Sequence, residues 1–315
     1  MRVRDSRKAP TVRWAGSAKT CGIAAALLLA VSGCATIAED SPELSLTPTP
    51  ELEPAAPGTV DLAQRALAEN RYEDARKLLE RVLVSDPDNA RAKLTLAELR
   101  LATGRPKQAA AAFEALVGQP EVRALALQGH GISLMLTGDD EAGYESLRNA
   151  VEQDAALWRA WNALGFYHDS RGDWAAAVES YGKALAANPG SALIYNNRGY
   201  SMIMQGRLEE AIEDLNKALR LDPELPTVQG NLRLAFAWQG KYAHAMSGVS
   251  EKDMGKVLNN IGFIAMLRGD YANAEAYLLR AMEVDPSFNE AASRNLAYLK
   301  SMRDIENAEA SAAQD

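Results

Sequence analysis

Small, large and turn-forming residues recur along most of this chain at intervals of 34 positions. The clearest unit spans residues 158–190, and no strand-like run of alternating β-branched residues is visible in the sequence. Gly172 lies near the middle of the unit and predicts a tight turn, because glycine adopts positive φ at little cost. Pro189 predicts the end of a second helix, since proline lacks the backbone donor that a helix needs. The pattern therefore predicts an all-α fold.

The two helices of this unit are expected to cross closely. Gly165 and Ala177 lie at the predicted crossing, where only a missing or one-carbon side chain lets the backbones approach. With Trp158 as position 1, the defining positions 4, 7, 8, 15, 20, 24, 27 and 32 hold Trp161, Leu164, Gly165, Gly172, Ala177, Tyr181, Ala184 and Pro189. This set resembles the tetratricopeptide-repeat (TPR) signature almost position for position.

Seven units in this register follow one another before residue 289. They start near Ala56, Ala90, Ala124, Trp158, Ala192, Pro226 and Gly255. The second unit ends irregularly because Pro120 comes early, and the third is weak because Gly143 replaces the usual alanine. The sixth is degenerate, and its second helix should break off around Gly248. This unit is 29 residues long, five short of a full period, which predicts a local change in the superhelix.

One more helix is expected after the seventh unit. It would run from Asn289 to about Ile305 and cover the last repeat, as the end of a repeat array requires. Residues 306–315 are small and acidic and are expected to fray. The predicted fold is thus a TPR superhelical solenoid of about seven helix-turn-helix repeats over residues 59–288. A capping helix and a flexible tail would follow over residues 289–315.

The start of the chain resembles an export signal. Residues 1–20 carry six basic residues against one acid, and residues 22–31 are apolar. This run is too short to span a bilayer, which needs ~20 residues, so it predicts a signal peptide over residues 1–33. The run closes with Val31, Ser32, Gly33 and Cys34, which resembles a bacterial lipobox and implies lipidation of Cys34. The alternative is an ordinary signal peptide with an unmodified cysteine.

The residue after Cys34 is Ala35 rather than aspartate, which by resemblance to enterobacterial lipoproteins favours the outer membrane, facing the periplasm. Removing residues 1–33 changes the net charge from -8 to -13. A chain this acidic argues against binding nucleic acid or anionic lipid heads, so the acyl anchor would be the membrane link. Residues 34–58 are rich in proline and acid and predict a stiff, extended linker. The alternative is a disordered segment with no set reach.

By analogy with the TPR family, positions 2, 5, 9, 12 and 13 of each first helix would line a concave face. Position 5 is asparagine and position 9 is aromatic in the fourth, fifth and seventh units, and each pair shares a helix face. Asparagine can pair with the amides of an extended peptide, and an aromatic ring beside it offers a flat apolar surface. The candidate peptide groove comprises Asn162, Phe166, Asn196, Tyr200, Asn259 and Phe263, with added apolar area from Met204, Trp238, Met266 and Leu267.

Three cationic side chains could contribute to this groove. Arg159 and Lys256 fall at position 2 and could meet a peptide carboxylate. The lysine and arginine set of chaperone-binding TPR proteins is not reproduced. Arg198 stands at position 7, normally leucine, and would either keep its head in water above a packed stem or reach into the groove. The alternative for the whole groove set is that these residues fill a tight superhelix or contact the capping helix.

The sequence offers little for catalysis. His130, His168 and His244 lie in different units, and none has a second ligand at helical spacing, so they are interpreted as packing or surface residues. No glycine-rich phosphate loop, zinc-type histidine pair or Cys-x-x-Cys motif is present. Signal, linker, repeats and cap account for the whole chain. We therefore expect no enzymatic activity, no metal and no cofactor.

The combination of lipobox, acidic tether and TPR array resembles one class of lipoprotein. The segments that sharpen the resemblance are YNNRGYS at residues 195–201 and LNNIGF at residues 258–263, followed by GDY at residues 269–271. They are similar to the TPR lipoprotein of the tight-adherence (Flp pilus) apparatus, the TadD type. The resemblance implies a pilotin-like scaffold that helps the pilus secretin or its periplasmic partners assemble. The alternative is a general factor for outer-membrane-protein or cell-wall assembly.

Overall fold

The computed structural model of the protein describes residues 56–312, and every regular element in that range is helical. The α-helices are α1 (Thr59–Ala68), α2 (Tyr72–Ser85), α3 (Ala90–Ala102), α4 (Pro106–Glu114), α5 (Arg123–Thr137), α6 (Asp140–Gln153), α7 (Trp158–Arg171), α8 (Trp174–Ala187), α9 (Ala192–Met204), α10 (Leu208–Leu221), α11 (Pro226–Trp238), α12 (Tyr242–Met246), α13 (Glu251–Leu267), α14 (Tyr271–Val284) and α15 (Asn289–Ala312). A 3₁₀ turn spans Pro286–Phe288. The all-α prediction is confirmed.

Helices α1 to α14 form seven consecutive pairs, and α15 follows as a single helix. We number the pairs repeats 1 to 7 and call the members of each pair its first and second helix. The two helices of a pair pack against each other, and the second helix also packs against the first helix of a following repeat, as α7 does on α6. The predicted arrangement of seven helix-turn-helix repeats and one further helix is therefore confirmed.

The turn inside each repeat requires a residue with positive φ. At Gly172, between α7 and α8, φ is 71°, and this residue caps the end of α7. Repeat 1 uses Asn70 instead, with a φ of 59°, the one positive-φ residue other than glycine among residues 56–312. Asparagine tolerates this conformation better than most residues do. The turn therefore depends on backbone conformation and not on glycine alone.

The helices of a repeat approach closely where the sequence places small residues. A Cβ atom added to Gly165 would lie 2.7 Å from the ring of Tyr181. In repeat 3, a Cβ atom on Gly131 would lie 2.8 Å from the carbonyl oxygen of Gly143. Gly143, which makes repeat 3 irregular in sequence, thus faces a second glycine across the crossing. Both helices of this repeat are full-length, with 15 residues in α5 and 14 in α6.

Repeat 6 has a short second helix, as expected, and the second helix of repeat 2, for which an irregular end was expected, is short as well. Helix α4 ends at Glu114 after nine residues, ahead of Pro120. Helix α12 comprises five residues and ends at Met246, just before Gly248. The seventh repeat begins earlier than predicted, at Glu251 instead of Gly255, because the Ser250 side chain caps an additional turn of α13.

The capping helix is longer than predicted. Helix α15 continues to Ala312 rather than ending near Ile305. Residues 306–312 consist mainly of alanine and glutamate, which favour helix, and contain neither glycine nor proline. The composition of this stretch is therefore compatible with the longer helix, and the expected fraying of the tail stays a prediction.

The described residues fall into two compact units, and the division lies inside α9, after Asn197. The N-terminal unit, residues 56–197, buries Phe113, Leu147 and Leu164 in one apolar cluster. The C-terminal unit, which starts at residue 198, buries Ile261 and Met266 in another. Each unit therefore has an apolar core of its own.

Residues 1–55 lie outside the described residues. The predicted signal peptide, the lipidation of Cys34 and most of the predicted linker over residues 34–58 thus stay predictions. Helix α1 begins directly after Gly58, whose φ is 85°. Among the helices of residues 56–312, none is both long and apolar enough to cross a membrane.

Candidate peptide-binding surface

The amide side chains at position 5 connect neighbouring repeats. The Oδ1 atom of Asn162 accepts a hydrogen bond from Nδ2 of Asn197 at 3.0 Å. Asn259 likewise accepts one from Nδ2 of Asn295 in α15, at 3.1 Å. Gln128, at position 5 of repeat 3, accepts one at 3.2 Å from a backbone N–H in the first turn of α7. In all three cases the donor lies on the next first helix or on α15, so these amides bind the following helix of the chain itself.

Three residues predicted for the groove are buried. Asn162 is 3% exposed, and Asn196 and Met266 are fully buried. Asn196 donates to the side chain of its neighbour Asn197 at 3.3 Å, while Met266 lies in the core of the C-terminal unit. A bound peptide could not touch these side chains, so the prediction of groove contact is wrong for them. Asn259 is half-buried, and its bond to α15 is the alternative that the sequence left open.

The first helices of the C-terminal unit carry an apolar surface. Positions 9 and 13 of repeats 5, 6 and 7 hold six half-buried apolar side chains. We name this set the apolar strip, which comprises Tyr200, Met204, Leu234, Trp238, Phe263 and Leu267. Positions 9 and 13 lie one turn apart on a helix, and α11 and α13 are direct neighbours. Leu234, Trp238 and Phe263 also pack against the same buried cluster of the C-terminal unit.

The N-terminal unit does not repeat this pattern. Phe166 is half-buried at position 9 of repeat 4. The same position holds the charged Glu98 in repeat 2 and Ile132, only 3% exposed, in repeat 3. Phe166 therefore stands alone among its neighbours as an accessible aromatic residue at position 9, whereas Tyr200 and Phe263 belong to the set of six in the other unit.

The two cations predicted at position 2 have different surroundings. An Nη1 atom of Arg159 lies 3.9 Å from Oε1 of Glu98. Burial raises the pKa of the Glu98 carboxyl, and the charge of Arg159 opposes that shift. Lys256 is exposed and makes no ion pair with a side chain of the described residues. The charge of Arg159 is thus partly neutralised inside the chain, while that of Lys256 is available to a ligand.

Arg198 takes neither of the two predicted positions. Its guanidinium binds the carboxylate of Asp214 on α10, the second helix of the same repeat. Asp214 is 8% exposed and lies on the buried face of α10 beside Ala211, Leu215 and Ala218. Sequence reasoning missed this pair, although an aspartate among apolar positions of a helix was a signal for it.

The three histidines pack against neighbouring side chains. The Nδ1 atom of His130 lies 2.9 Å from Oγ of Ser146, and burial lowers the pKa of His130. His168 meets two tyrosine rings edge to face, and His244 lies beside Phe236. Ser146 is 8% exposed and His130 is half-buried, so the contact lies mostly in the interior. Within residues 56–312, no group of three or more His, Cys, Asp or Glu side chains could hold a metal ion.

Three family models, each described as tetratricopeptide repeat, match the sequence. The matches span residues 66–128, 162–226 and 255–288. They cover most of repeats 1, 2, 4, 5 and 7. The unmatched stretches between them contain most of repeats 3 and 6, which are the units that depart most from the signature in sequence.

Solved structures of other proteins are similar in fold. The crystal structure of the APC/C hetero-tetramer Cut9–Hcn1 aligns with a TM-score of 0.59 and 17% identity, over 76% of this chain and 48% of that one. This chain thus spans about half of its length, and the likeness shows the fold alone. A tetratricopeptide-repeat protein from Parabacteroides merdae aligns with a TM-score of 0.48 and 14% identity, over 77% of this chain and 97% of that one. Pseudomonas aeruginosa PilF aligns with a TM-score of 0.45 and 18% identity, over 73% and 91%. No curated protein matches the sequence.

Proposed function

We propose that this chain, which is a tetratricopeptide-repeat protein, is a non-catalytic scaffold that holds a segment of a partner protein against the apolar strip. The observation that carries the proposal is the repetition of half-buried apolar side chains at positions 9 and 13 of three consecutive first helices. Large apolar side chains that stay accessible at equivalent places on adjacent helices are typical of an interaction surface.

The residue types of the strip suit the binding of a peptide. Tyr200, Trp238 and Phe263 are the kinds of aromatic anchor that are enriched in protein interfaces, and Met204 provides an adaptable side chain. Each of these side chains is already half-buried, so completing its burial contributes only about 1 kcal/mol. Useful affinity therefore requires contact with several of them at once. A partner segment with apolar side chains along its length would meet that requirement.

We propose further that Cys34 carries a lipid anchor that attaches the protein to the outer membrane, with the repeats in the periplasm. The lipobox-like sequence and the acidic, proline-rich segment after it support this proposal. A single acyl chain gives only reversible membrane binding, so stable attachment requires more than one. Attachment would confine the scaffold to two dimensions and raise its effective concentration near membrane partners.

The resemblance to TadD-type lipoproteins supports a pilotin-like role in assembling a Flp pilus secretion system. The partner segment would then belong to the secretin or to another periplasmic component of that system. In this mechanism the scaffold performs no chemistry. It binds a segment of an assembling subunit at the membrane, where the subunit is needed, and releases it into the complex.

Co-purification of the Flp-pilus secretin with the full chain tests the proposal. We expect a variant with Tyr200→Ala, Trp238→Ala and Phe263→Ala to recover about a tenth of the secretin that the wild type recovers, because it lacks the aromatic anchors. Leu62→Ala is the matched control, since Leu62 is 51% exposed on α1 and should leave recovery unchanged. Circular dichroism verifies that the triple variant is folded, and undiminished recovery by a folded variant contradicts the strip as the binding surface.

Membrane attachment has its own test. A Cys34→Ser variant cannot be acylated, so we expect it to leave the outer-membrane fraction while the wild type stays there. Mass spectrometry of the mature amino terminus distinguishes the acylated from the unmodified cysteine. An unacylated wild-type amino terminus would reject the anchor without affecting the strip.

A further inference from the structure

The second helix of repeat 6 is much shorter than its counterparts. Helix α12 has five residues, whereas the second helices of repeats 1, 3, 4, 5 and 7 have 14 each. Residues 247–250 follow it, and Ser247 and Ser250 are extended, with ψ of 131° and 154°. Between them, Gly248 has a φ of 65°, and the N–H of Val249 donates to the carbonyl oxygen of Met246 at 3.3 Å, so residues 246–249 form a turn. A short turn therefore stands where the full-length second helices continue for more than two further helical turns.

Arg233 explains why the helix stops where it does. This residue occupies position 8 of repeat 6, at the helix crossing. In the other six repeats, position 8 holds only alanine or glycine, namely Ala63, Ala97, Gly131, Gly165, Gly199 and Gly262. A long arginine side chain at this position is incompatible with the close helix crossing that the small residues allow in the other repeats. On the second helix, the small residue at the crossing is Ala245, the equivalent of Ala177 in repeat 4. Helix α12 ends one residue later, at Met246.

The guanidinium of Arg233 has one buried donor that lacks a hydrogen-bond acceptor. Its Nε atom is buried and has no hydrogen-bond partner in the structure. One Nη2 atom reaches the carbonyl oxygen of Gly248 at 3.4 Å, at the limit of a hydrogen bond. A buried arginine N–H without an acceptor is unfavourable, and a carboxylate is the acceptor that best fits its fork of donors. The Nε donor of Arg233 is thus unpaired, and the carboxylate of an anionic side chain would satisfy it.

Exposed aliphatic residues end the two second helices on either side of repeat 6. Leu221 is the last residue of α10 and is 39% exposed, and Val284 is the last residue of α14 and is 44% exposed. The equivalent last residues of the other full-length second helices are Ser85, Gln153 and Ala187. Among these five full-length second helices, a large aliphatic side chain therefore stands at the last position only in the two that flank repeat 6.

We propose that an α-helix of a partner protein completes repeat 6 by taking the place of the missing turns. Its apolar face would cover Leu221 and Val284, and an aspartate or glutamate on that face would bind Arg233. Repeat 5 contains the same arrangement within one chain, because Asp214 of its second helix binds Arg198 at position 7 of its first helix. Leu221 and Val284 end second helices, whereas the apolar strip lies on the first helices, so the two sites are distinct even though α11 carries both Arg233 and Leu234.

A hydrocarbon-stapled, fluorescein-labelled peptide with the sequence of residues 208–221 serves as the probe, since it is a natural second helix and carries Asp214. We expect saturable binding to the full chain by fluorescence anisotropy. Arg233→Ala should weaken binding about tenfold, the effect of one charge-assisted hydrogen bond. A peptide with Asp214→Asn should bind the wild type about tenfold more weakly but should lose nothing further against Arg233→Ala.

Leu221→Asp and Val284→Asp should each abolish binding of the probe, and Leu62→Asp, on an exposed position of repeat 1, should leave it unchanged. The proposal is overturned if the probe does not bind the wild type, or if Leu221→Asp, Val284→Asp and Leu62→Asp all bind it equally well. Analytical ultracentrifugation tests whether a second copy of this chain, instead of a partner protein, binds the surface. A concentration-dependent dimer that dissociates in Leu221→Asp would show that this surface pairs with another copy of the chain, which also overturns the assignment of a partner helix.

Discussion

The guanidinium of Arg198 binds both carboxylate oxygens of Asp214, through Nε at 2.6 Å and Nη2 at 2.8 Å. The pair joins α9 to α10 inside repeat 5, at a position where the repeat signature has leucine. Both side chains are largely buried, with 24% and 11% of their surface exposed. A planar, two-point contact of this kind fixes the relative orientation of the two helices more tightly than an apolar contact does.

Removing one member of this pair should be costly. We expect Asp214→Ala to lower the free energy of unfolding by about 3 kcal/mol, because it leaves the charge of Arg198 buried without a partner. Urea unfolding followed by circular dichroism measures this change. The more exposed pair of Arg207 and Glu210, at the start of α10, is the control, and Arg207→Ala should change stability by no more than about 0.5 kcal/mol. A double variant with leucine at 198 and 214 should recover most of the loss, and equal effects of both single variants would contradict the account.

The helix crossing in repeat 4 gives a second prediction. Gly165→Ala should destabilise the chain by about 1–3 kcal/mol, because its Cβ would lie 2.7 Å from the fully packed ring of Tyr181. Gly182→Ala is the matched control on α8, since a Cβ there meets nothing within 4 Å, and it should stabilise the helix by about 0.5–1 kcal/mol. Thermal unfolding of the two variants gives the comparison. A stabilising Gly165→Ala would show that the crossing is looser than described.

The Glu98–Arg159 pair predicts a pH dependence. Burial raises the pKa of Glu98 above 4.5, so the folded chain holds this proton more tightly than the unfolded chain does. The free energy of unfolding should therefore fall as the pH rises from 4.5 through the raised pKa. Glu98→Gln removes this fall, so the variant should gain stability relative to the wild type at pH 7 and show no gain near pH 4. Thermal unfolding across this range tests the sign, and a variant that is less stable at pH 7 than at pH 4 relative to the wild type would contradict it.

The repeat architecture follows from the sequence because its determinants are local. Gly172 and Pro189 specify a turn and a helix end whatever the neighbouring repeats do, and Gly165 with Ala177 specifies a close crossing. The shortened second helix of repeat 6 was visible as a missing five residues. Its cause, Arg233 at a position reserved for alanine or glycine, was also present in the sequence and was overlooked.

The candidate site was harder to predict, because it depends on contacts between repeats. Position 5 appeared to offer asparagines to a peptide, yet Asn162 and Asn259 accept hydrogen bonds from helices that follow in the chain. A sequence gives the face of a helix on which a residue lies but not what covers that face. Phe263 and Tyr200 at position 9 are partly exposed, as a binding residue must be. The structure adds Leu234, at position 9 of repeat 6, which sequence reasoning had overlooked.

Photo-crosslinking in cells that assemble Flp pili tests the central claim most directly. The photoreactive residue p-benzoylphenylalanine is introduced in place of Phe263 in the apolar strip or of Leu62 on α1, and the adducts are identified by mass spectrometry. The account predicts an adduct between residue 263 and a periplasmic segment of the secretin or another pilus component, reduced by Trp238→Ala, and no such adduct from residue 62. Absence of an adduct at 263, or equal adducts from both positions, would contradict the claim that the apolar strip binds a partner.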